Sequence, residues 1–431
     1  MDQEPRDKPL LLGGISDDFT GGLELASMMA RDGLRTRLLT KLARPGDLKD
    51  LEVAVIALKS RVAPASKAVR DFAKAMDALT KRGVRQVFFK YCATFDSTPR
   101  GNIGPCADYL ADRLGTDFTG FDPAFPDVER KVYRGYLYWA DQLISESPKR
   151  LDPLTPMRDP NLVRVLQAQT RHKVGLIRHE ELQSDLNVRR EAVAKLKAAG
   201  IRYAICDALS NDDLKRMAEI CVDWPLMTGG SSVAEYYPEL WRAQGLAGAP
   251  SPPAELRSIA GPAVILAGSC AEQTAKQIAH FGKSHPVHAI DLLEAAVKPE
   301  LVDHAVDQAR RELAHGSVAF AVSATPEAVA SAQKKFGRHS AAKRAEDILG
   351  KVAVALHRHG VRRFVIAGGE TSGAVLEALK VRAMDISPYR GPGTARAVTA
   401  GTDPISFHLK PGKLGSIDML DQAAADQGKA A

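Results

Sequence analysis

Short apolar runs alternate with amphipathic stretches along most of the chain. Pro9-Leu10-Leu11-Leu12-Gly13-Gly14-Ile15 reads as a first buried strand, and the polar loop Ser16-Asp17-Asp18-Phe19-Thr20-Gly21-Gly22 follows it. Apolar positions then recur at helical spacing from about Leu23 to Arg31. The cycle repeats with a strand at Val53–Leu58, a helix at Ser66–Lys81, a strand at Val84–Lys90, a loop at Tyr91–Gly101 and a helix at Asn102–Arg113. Alternation at this spacing predicts an α/β fold in which a mostly parallel sheet is flanked by helices. The middle is less regular. Tyr133–Trp139 is expected as a strand, Leu151–Asp159 as a proline-rich loop and Asn161–Gln169 as a short helix. Strands resume at Lys173–Ile177, Arg202–Cys206 and Pro225–Met227, the last running into the small-residue turn Thr228–Ser232.

The periodicity lapses at Gly245–Ala254, where three prolines and several small residues mark a linker. Beyond it a second series of strands, Val264–Leu266, Val287–Ile290, Val318–Val322 and Phe364–Ile366, is interleaved with helices at Glu272–Phe281, Leu301–Ala314 and Ala341–His359. We therefore expect two domains, residues 1–244 and 262–431, joined by a linker at 245–261. Each should carry a mostly parallel sheet flanked by helices, with ligands in the cleft between them. A length of 431 residues suits two domains. The Ala-, Gln- and Asp-rich end, Asp421–Ala431, is expected to fray.

The stretch Phe364-Val365-Ile366-Ala367-Gly368-Gly369-Glu370-Thr371-Ser372-Gly373 reads as strand, tight loop and helix start, with Thr371 or Ser372 placed to cap the helix. Glycines admit close backbone approach, and a helix N-terminus favours an anion such as phosphate. A βα turn that binds nothing fits this stretch equally well when it is taken alone.

Composition changes the picture in a few respects. Hydrophobic residues at 45% and charged residues at 26% are ordinary for a globular protein with sizeable cores. A net charge of +7 without basic runs interleaved with aromatics argues against nucleic acid and for anionic small molecules. Five widely spaced cysteines without a CxxC pair point to a reducing compartment, and no HxxxH or HExxH pattern marks a transition-metal site. The polar N-terminus is unlike a signal peptide, and no apolar run nears the roughly 18 residues of a membrane span. The expectation is a cytoplasmic protein that meets small molecules and not membranes, with self-association left open.

In open α/β sheets ligands gather at the carboxyl ends of strands. The loop after the first strand carries Asp17, Asp18, Thr20 and Gly21; a later one carries Lys90, Thr94, Asp96, Ser97, Thr98, Arg100 and Asn102. In the second half Gly268-Ser269-Cys270 follows one strand and the Gly368–Ser372 loop another, while Lys410-Pro411-Gly412-Lys413 comes late. The first set suits a polyhydroxylated acid and the second suits phosphates. Plainer readings stay open: Asp17-Asp18 and Ser269 could be helix caps, and Lys90 and Arg100 could be surface charges. Neither GxGxxG after the first strand nor GxxxxGK[ST] is present, which counts against an NAD(P)-dependent dehydrogenase of hydroxy acids and against a P-loop.

Several motifs occur in order: Asp17-Asp18-Phe19-Thr20-Gly21; Thr94-Phe95-Asp96-Ser97 with Gly101-Asn102-Ile103-Gly104; Pro123-Ala124-Phe125-Pro126; Leu154-Thr155-Pro156-Met157; Gly268-Ser269-Cys270; and Gly368-Gly369-Glu370-Thr371-Ser372-Gly373. The series resembles the four-carbon acid sugar kinase family over nearly the whole chain. Its Cys92–Ser97 and Leu154–Met157 loops are most similar to the 3-oxo-tetronate 4-kinase branch. The resemblance implies an N-terminal sugar-acid-binding domain, a C-terminal ATP-binding domain, and phosphorylation of the C4 hydroxyl of a C4 sugar acid with ATP and Mg²⁺. D-threonate, D-erythronate or a non-catalytic sugar-acid sensor are the alternatives. It implies nucleotide contacts at Ser269, Gly368, Gly369, Glu370, Thr371, Ser372 and Gly412. On the sugar side it implies catalytic roles for Asp17, Asp18 and Lys90, and substrate contacts at Thr20, Asp96, Ser97, Arg100 and Asn102, with Arg100 clamping the carboxylate. Glu24 stands where the family commonly has Asp, Tyr136 and Asp152 where the branch often has His, and Glu129 where it has Gly.

Overall fold

A computed structural model of the chain describes residues 9–41, 45–152, 154–252, 255–268, 271–322, 326–391, 395–412 and 414–427. It divides into two compact units between residues 253 and 254. The first contains β1 (Leu10–Ser16), β2 (Thr36–Leu39), β3 (Val53–Ala57), β4 (Val84–Lys90), β5 (Thr119–Asp122), β6 (Arg130–Tyr133), β7 (Tyr136–Trp139), β8 (Gln142–Leu143), β9 (Lys173–Ile177), β10 (Ile201–Cys206) and β11 (Leu226–Gly229). Eight of these form a wholly parallel sheet in the order β2-β3-β1-β4-β11-β5-β10-β9. The strands are near-continuous apolar runs because helices cover both faces. Two adjacent glycines on β1 show this directly. A Cβ on Gly13 would meet Leu79 of helix Ala65–Arg82 at 2.8 Å, and one on Gly14 would meet Leu25 of helix Phe19–Arg31 at 3.0 Å. Successive strand residues face opposite sides, so the two helices flank β1 closely from both.

Strand order fixes where a ligand can enter. From β1 the chain runs outward to β2, returns to β3, and then crosses to β4 on the other side of β1. Such a switch in direction opens a crevice at the carboxyl ends of the central strands. Asp17, Asp18 and Lys90 sit there, at the ends of β1 and β4.

Three expectations are corrected here. The first helix begins at Phe19, not Leu23, because Asp18 caps it by accepting from the Gly21 N–H at 2.8 Å. Tyr133–Trp139 is a hairpin: Arg134 and Gly135 both have positive φ (53° and 75°), as a two-residue type I′ turn requires. Asp207 accepts from both turn N–H groups at 2.9 Å. The short helix spans Leu162–Gln167, capped by Asn161.

The second unit contains β12 (Val264–Ala267), β13 (Val287–Ile290), β14 (Val318–Val322), β15 (Arg363–Ala367), β16 (Ala383–Ile386), β17 (Arg396–Thr399) and β18 (Ser406–Lys410). They form the order β13-β14-β12-β15-β18-β17-β16, parallel from β13 to β18 and antiparallel at β17 and β16. Ile265, Ala319, Val365 and Phe281 are among the residues of its buried core. Of the segment expected to fray, Asp421–Ala425 instead belongs to a helix, Met419–Ala425, with Leu420 fully buried in the same core, and residues 428–431 lie outside the described residues. Among the described residues no helix is long and apolar enough to cross a membrane.

Candidate active site

At the end of β1 two buried carboxylates are held by a half-buried guanidinium. Arg61, on the loop after β3, donates through Nε and Nη2 to Asp17 at 2.9 and 2.7 Å, and its Nη2 lies 2.9 Å from Asp18 Oδ1. Asp18 also accepts from the Thr20 hydroxyl at 2.7 Å. Lys90 is buried, donates to the Tyr91 carbonyl at 2.8 Å, and stands 3.9 Å from Glu24, which in turn accepts from Ser231. Gly21 makes room for this packing: a Cβ there would lie 2.6 Å from Asp18 Oδ1 and 2.8 Å from Lys90 Nζ.

The two aspartates are driven apart. Burial raises Asp17 above the ordinary carboxylate range despite Arg61. Burial acts on Asp18 too, but Arg61, Lys90, Thr20 and the Gly21 N–H outweigh it and hold Asp18 low. Neighbouring carboxyl groups pushed in opposite directions are the arrangement acid–base chemistry uses. Glu24 is also raised, by burial.

Asn102 serves the same cluster from behind. Its amide donates to the carbonyls of Ser60 at 2.7 Å and Ala63 at 2.9 Å, so it holds the loop that presents Arg61. Asp96 pairs with Lys149 at 2.8 Å and accepts from Thr94. Lys149, itself only 2% exposed, also pairs with Asp152 at 2.7 Å and donates to Thr155 at 3.0 Å. Lys149 holds Asp152 down at about 2 against its partial burial. Ser97 is buried and accepts from Gln169 at 2.8 Å. Arg100 is exposed, away from these buried contacts.

A different arginine is buried here. Arg130, on β6, lies with its guanidinium carbon 3.7 Å from the Trp139 ring centroid and donates Nη1 to the carbonyls of Val128 and Glu129. It forms no ion pair with a carboxylate among the described residues, and burial lowers it to about 10. Glu129 takes φ 56°, which accounts physically for the glycine the resemblance places there.

The second unit assembles a different surface at the ends of β12, β15 and β18. Gly368 takes φ 113° and leads into helix Gly369–Ala378, whose Ser372 N–H donates to the Gly368 carbonyl at 2.9 Å. The N–H groups of Gly369, Glu370 and Thr371 precede that bond and have no intrahelical acceptor. The Ser372 hydroxyl is buried and donates to the Gly368 carbonyl at 2.8 Å, and Thr371 is buried beside Gly268, where a Cβ would meet its Oγ1 at 2.5 Å. The Gly412 carbonyl accepts from Thr274 at 2.8 Å. Ser269 and Cys270 lie outside the described residues.

Residues 12–237 match the family "Sugar-binding N-terminal domain" and residues 264–420 the family "Nucleotide-binding C-terminal domain". The chain is 44% identical over 413 residues to the 3-oxo-tetronate kinase of Burkholderia multivorans and 43% identical over 416 to that of Pseudomonas fluorescens, covering 96% of both chains in each pair. It belongs to the four-carbon acid sugar kinase family. Among solved structures, a protein of Salmonella typhimurium LT2 matches at TM-score 0.84 and 33% identity, over 97% of this chain and all of that one. A Haemophilus influenzae protein matches at TM-score 0.73 and 34% identity, over 95% and 98%. This member of the family is thus a sugar acid kinase, a phosphotransferase with an alcohol acceptor that uses a nucleotide.

Four cations of this kinase, Arg61 half-buried and Arg130, Lys149 and Lys410 buried, are absent from the sequence-derived set. Arg61 follows a strand, so the rule that selected Asp17 applies to it as well. Arg130 and Lys149 follow no strand of the main sheet, although Asp152, one partner of Lys149, is only three residues away, and Lys410 stands in the late Lys410–Lys413 segment without being picked out as a site residue.

Proposed function

We propose that this kinase transfers the γ-phosphoryl group of ATP to the C4 hydroxyl of 3-oxo-tetronate. The observation that carries this reading is the set of relatives named 3-oxo-tetronate kinase, similar from end to end, combined with the Asp17–Asp18–Arg61–Lys90 cluster at the switch point of the first sheet. Phosphoryl transfer asks little covalent chemistry of a protein and much positioning. Asp17, the carboxylate raised by burial, is the stronger base and takes the hydroxyl proton. Asp18 caps the helix behind it and orients Arg61. Lys90 and Arg61 offset charge as the acceptor oxygen becomes nucleophilic. Arg130, buried and paired with no carboxylate among the described residues, offers the sugar acid's own carboxylate a fork, and we place it there in preference to the exposed Arg100.

The N–H groups opening helix Gly369–Ala378 suit the phosphates of ATP. No group of three or more metal-ligating side chains occurs among the described residues. That fits Mg²⁺ carried in on the phosphates, with one or two carboxylates at most from the protein; bound there, it would neutralise phosphate charge. An ADP-release assay against C4 acids and their 3-oxo forms tests the substrate. 3-Oxo-tetronate should give the highest kcat/KM; a higher value with D-threonate or D-erythronate would reassign the acceptor.

A further inference from the structure

Lys410 ends β18, beside Ala367 at the end of β15, and its carbonyl accepts from the Gly368 N–H at 2.8 Å. Its side chain is buried, only 2% of the residue being exposed. An ammonium group so placed ordinarily has a carboxylate beside it, because an unpaired buried charge is costly. Here Nζ donates to three neutral oxygens: the Pro411 carbonyl at 2.8 Å, the Thr274 hydroxyl at 3.2 Å and the Gly412 carbonyl at 3.3 Å. The elements around it carry Gln273, Thr274 and Gln277 on helix Glu272–Phe281 and Glu370 in the first turn of helix Gly369–Ala378. No described carboxylate lies within ion-pair distance of Nζ. Gln273 and Gln277 are spent on the carbonyls of Gly415 and Ser416, each at 2.7 Å, which ties those two residues to helix Glu272–Phe281.

A rigid cradle around a cation without a counter-ion is a site for an anion. We propose that the Lys410 ammonium binds a phosphate of the nucleotide directly. This rests on the nucleotide reading of the second unit and deepens it by naming the cation that meets the phosphate. The Pro411 and Gly412 carbonyls hold Nζ in position, and the phosphate oxygen takes the N–H that now goes to the Thr274 hydroxyl, which keeps its own bond to the Gly412 carbonyl.

The proposal has a thermodynamic signature independent of catalysis. Burial lowers Lys410 to about 8 in the free protein. A phosphate dianion beside it favours the charged form and raises that value. Below about pH 7 the group is already protonated and binding leaves its proton count unchanged. Between about pH 8 and 9 a neutral fraction must take up a proton as nucleotide binds.

The test is isothermal calorimetry of the full-length protein with ATP–Mg²⁺, without sugar acid, in buffers of differing ionisation enthalpy at pH 7 and pH 8.5. We expect proton uptake at the higher pH only, and none with adenosine, which lacks phosphate. Lys410→Met should bind ATP about tenfold to a hundredfold more weakly, bind adenosine as before and lose the uptake. Wild-type protein that binds ATP without uptake at pH 8.5 overturns the proposal, a result that needs no variant. A Lys410→Met protein that keeps both affinity and uptake overturns it too. Wild-type protein that binds neither ATP nor adenosine would instead overturn the nucleotide reading beneath it.

Discussion

Replacing Arg61 by Met tests whether the cluster at the end of β1 depends on one cation. Three charge-assisted contacts of 2.7 to 2.9 Å would vanish, leaving Asp17 and Asp18 buried side by side with Lys90 as the nearest compensation. Breaking a buried ion pair from one side costs about 3–5 kcal/mol, more than the pair itself contributes, because the stranded carboxylates have no water. The cost must depend on pH. In the wild type Asp18 is held below its unfolded value, so it stabilises the fold above about pH 4 and loses that contribution as the pH falls. In the variant both carboxylates rise above their unfolded values, so each destabilises increasingly as the pH rises. The tryptophans offer a probe confined to the unit in question, since Trp139, Trp224 and Trp241 all precede residue 253. Urea unfolding followed by their fluorescence should show a loss of about 3–5 kcal/mol at pH 8, smaller by at least about 1 kcal/mol at pH 5. Adding Asp17→Asn to Arg61→Met should recover part of that loss, by about 1–3 kcal/mol. Equal losses at both pH values, or a loss below about 1 kcal/mol, would refute the reasoning.

Other consequences can be checked separately. Asp17→Asn should lower kcat by about 10²–10⁴-fold in steady-state ADP release, and because it breaks the bidentate pair with Arg61 from one side it should also lower stability in urea unfolding, while circular dichroism shows the fold retained. Asp18→Asn keeps a capping side chain, whereas Asp18→Ala should cost a further ~1 kcal/mol in thermal or urea unfolding. Gly268→Ala drives a methyl group against Thr371 Oγ1 and must shift the start of helix Gly369–Ala378. ATP affinity should fall while sugar-acid affinity, measured by calorimetry without nucleotide, stays unchanged. Wild-type protein should also lose stability between about pH 4 and 2 as Asp152 takes up its proton and leaves Lys149, and Asp152→Asn should flatten that limb of the acid titration.

The long apolar strands and the helices between them were legible in the sequence because burial on both sheet faces forces unbroken runs such as Leu10–Ile15. Shorter elements were not. Thr119-Gly120-Phe121-Asp122 forms the buried strand β5 on the strength of neighbours at β10 and β11, with one large apolar residue of its own. Helix Phe19–Arg31 starts earlier than its periodicity indicates because a capping aspartate outweighs two glycines in the first turn. The candidate site shows the same division. Asp17, Asp18 and Lys90 could be read from position alone, at the ends of central strands. Asn102 was legible as a member of the loop but not in its role, which depends on carbonyls about forty residues earlier in the chain. Lys149 looks like a surface lysine in sequence and Lys410 was legible only as a member of its late segment; the pairing of Lys149 with Asp96 and the contact of Lys410 with Thr274, 136 residues away, go with their burial.

Transfer to a terminal hydroxyl leaves its mark on the product itself. ³¹P NMR of a reaction containing the enzyme, ATP–Mg²⁺ and 3-oxo-tetronate should show one new phosphomonoester signal split into a triplet by the two protons on C4. A doublet, which places the ester on a secondary carbon, or inorganic phosphate accumulating with no ester at all, would contradict it.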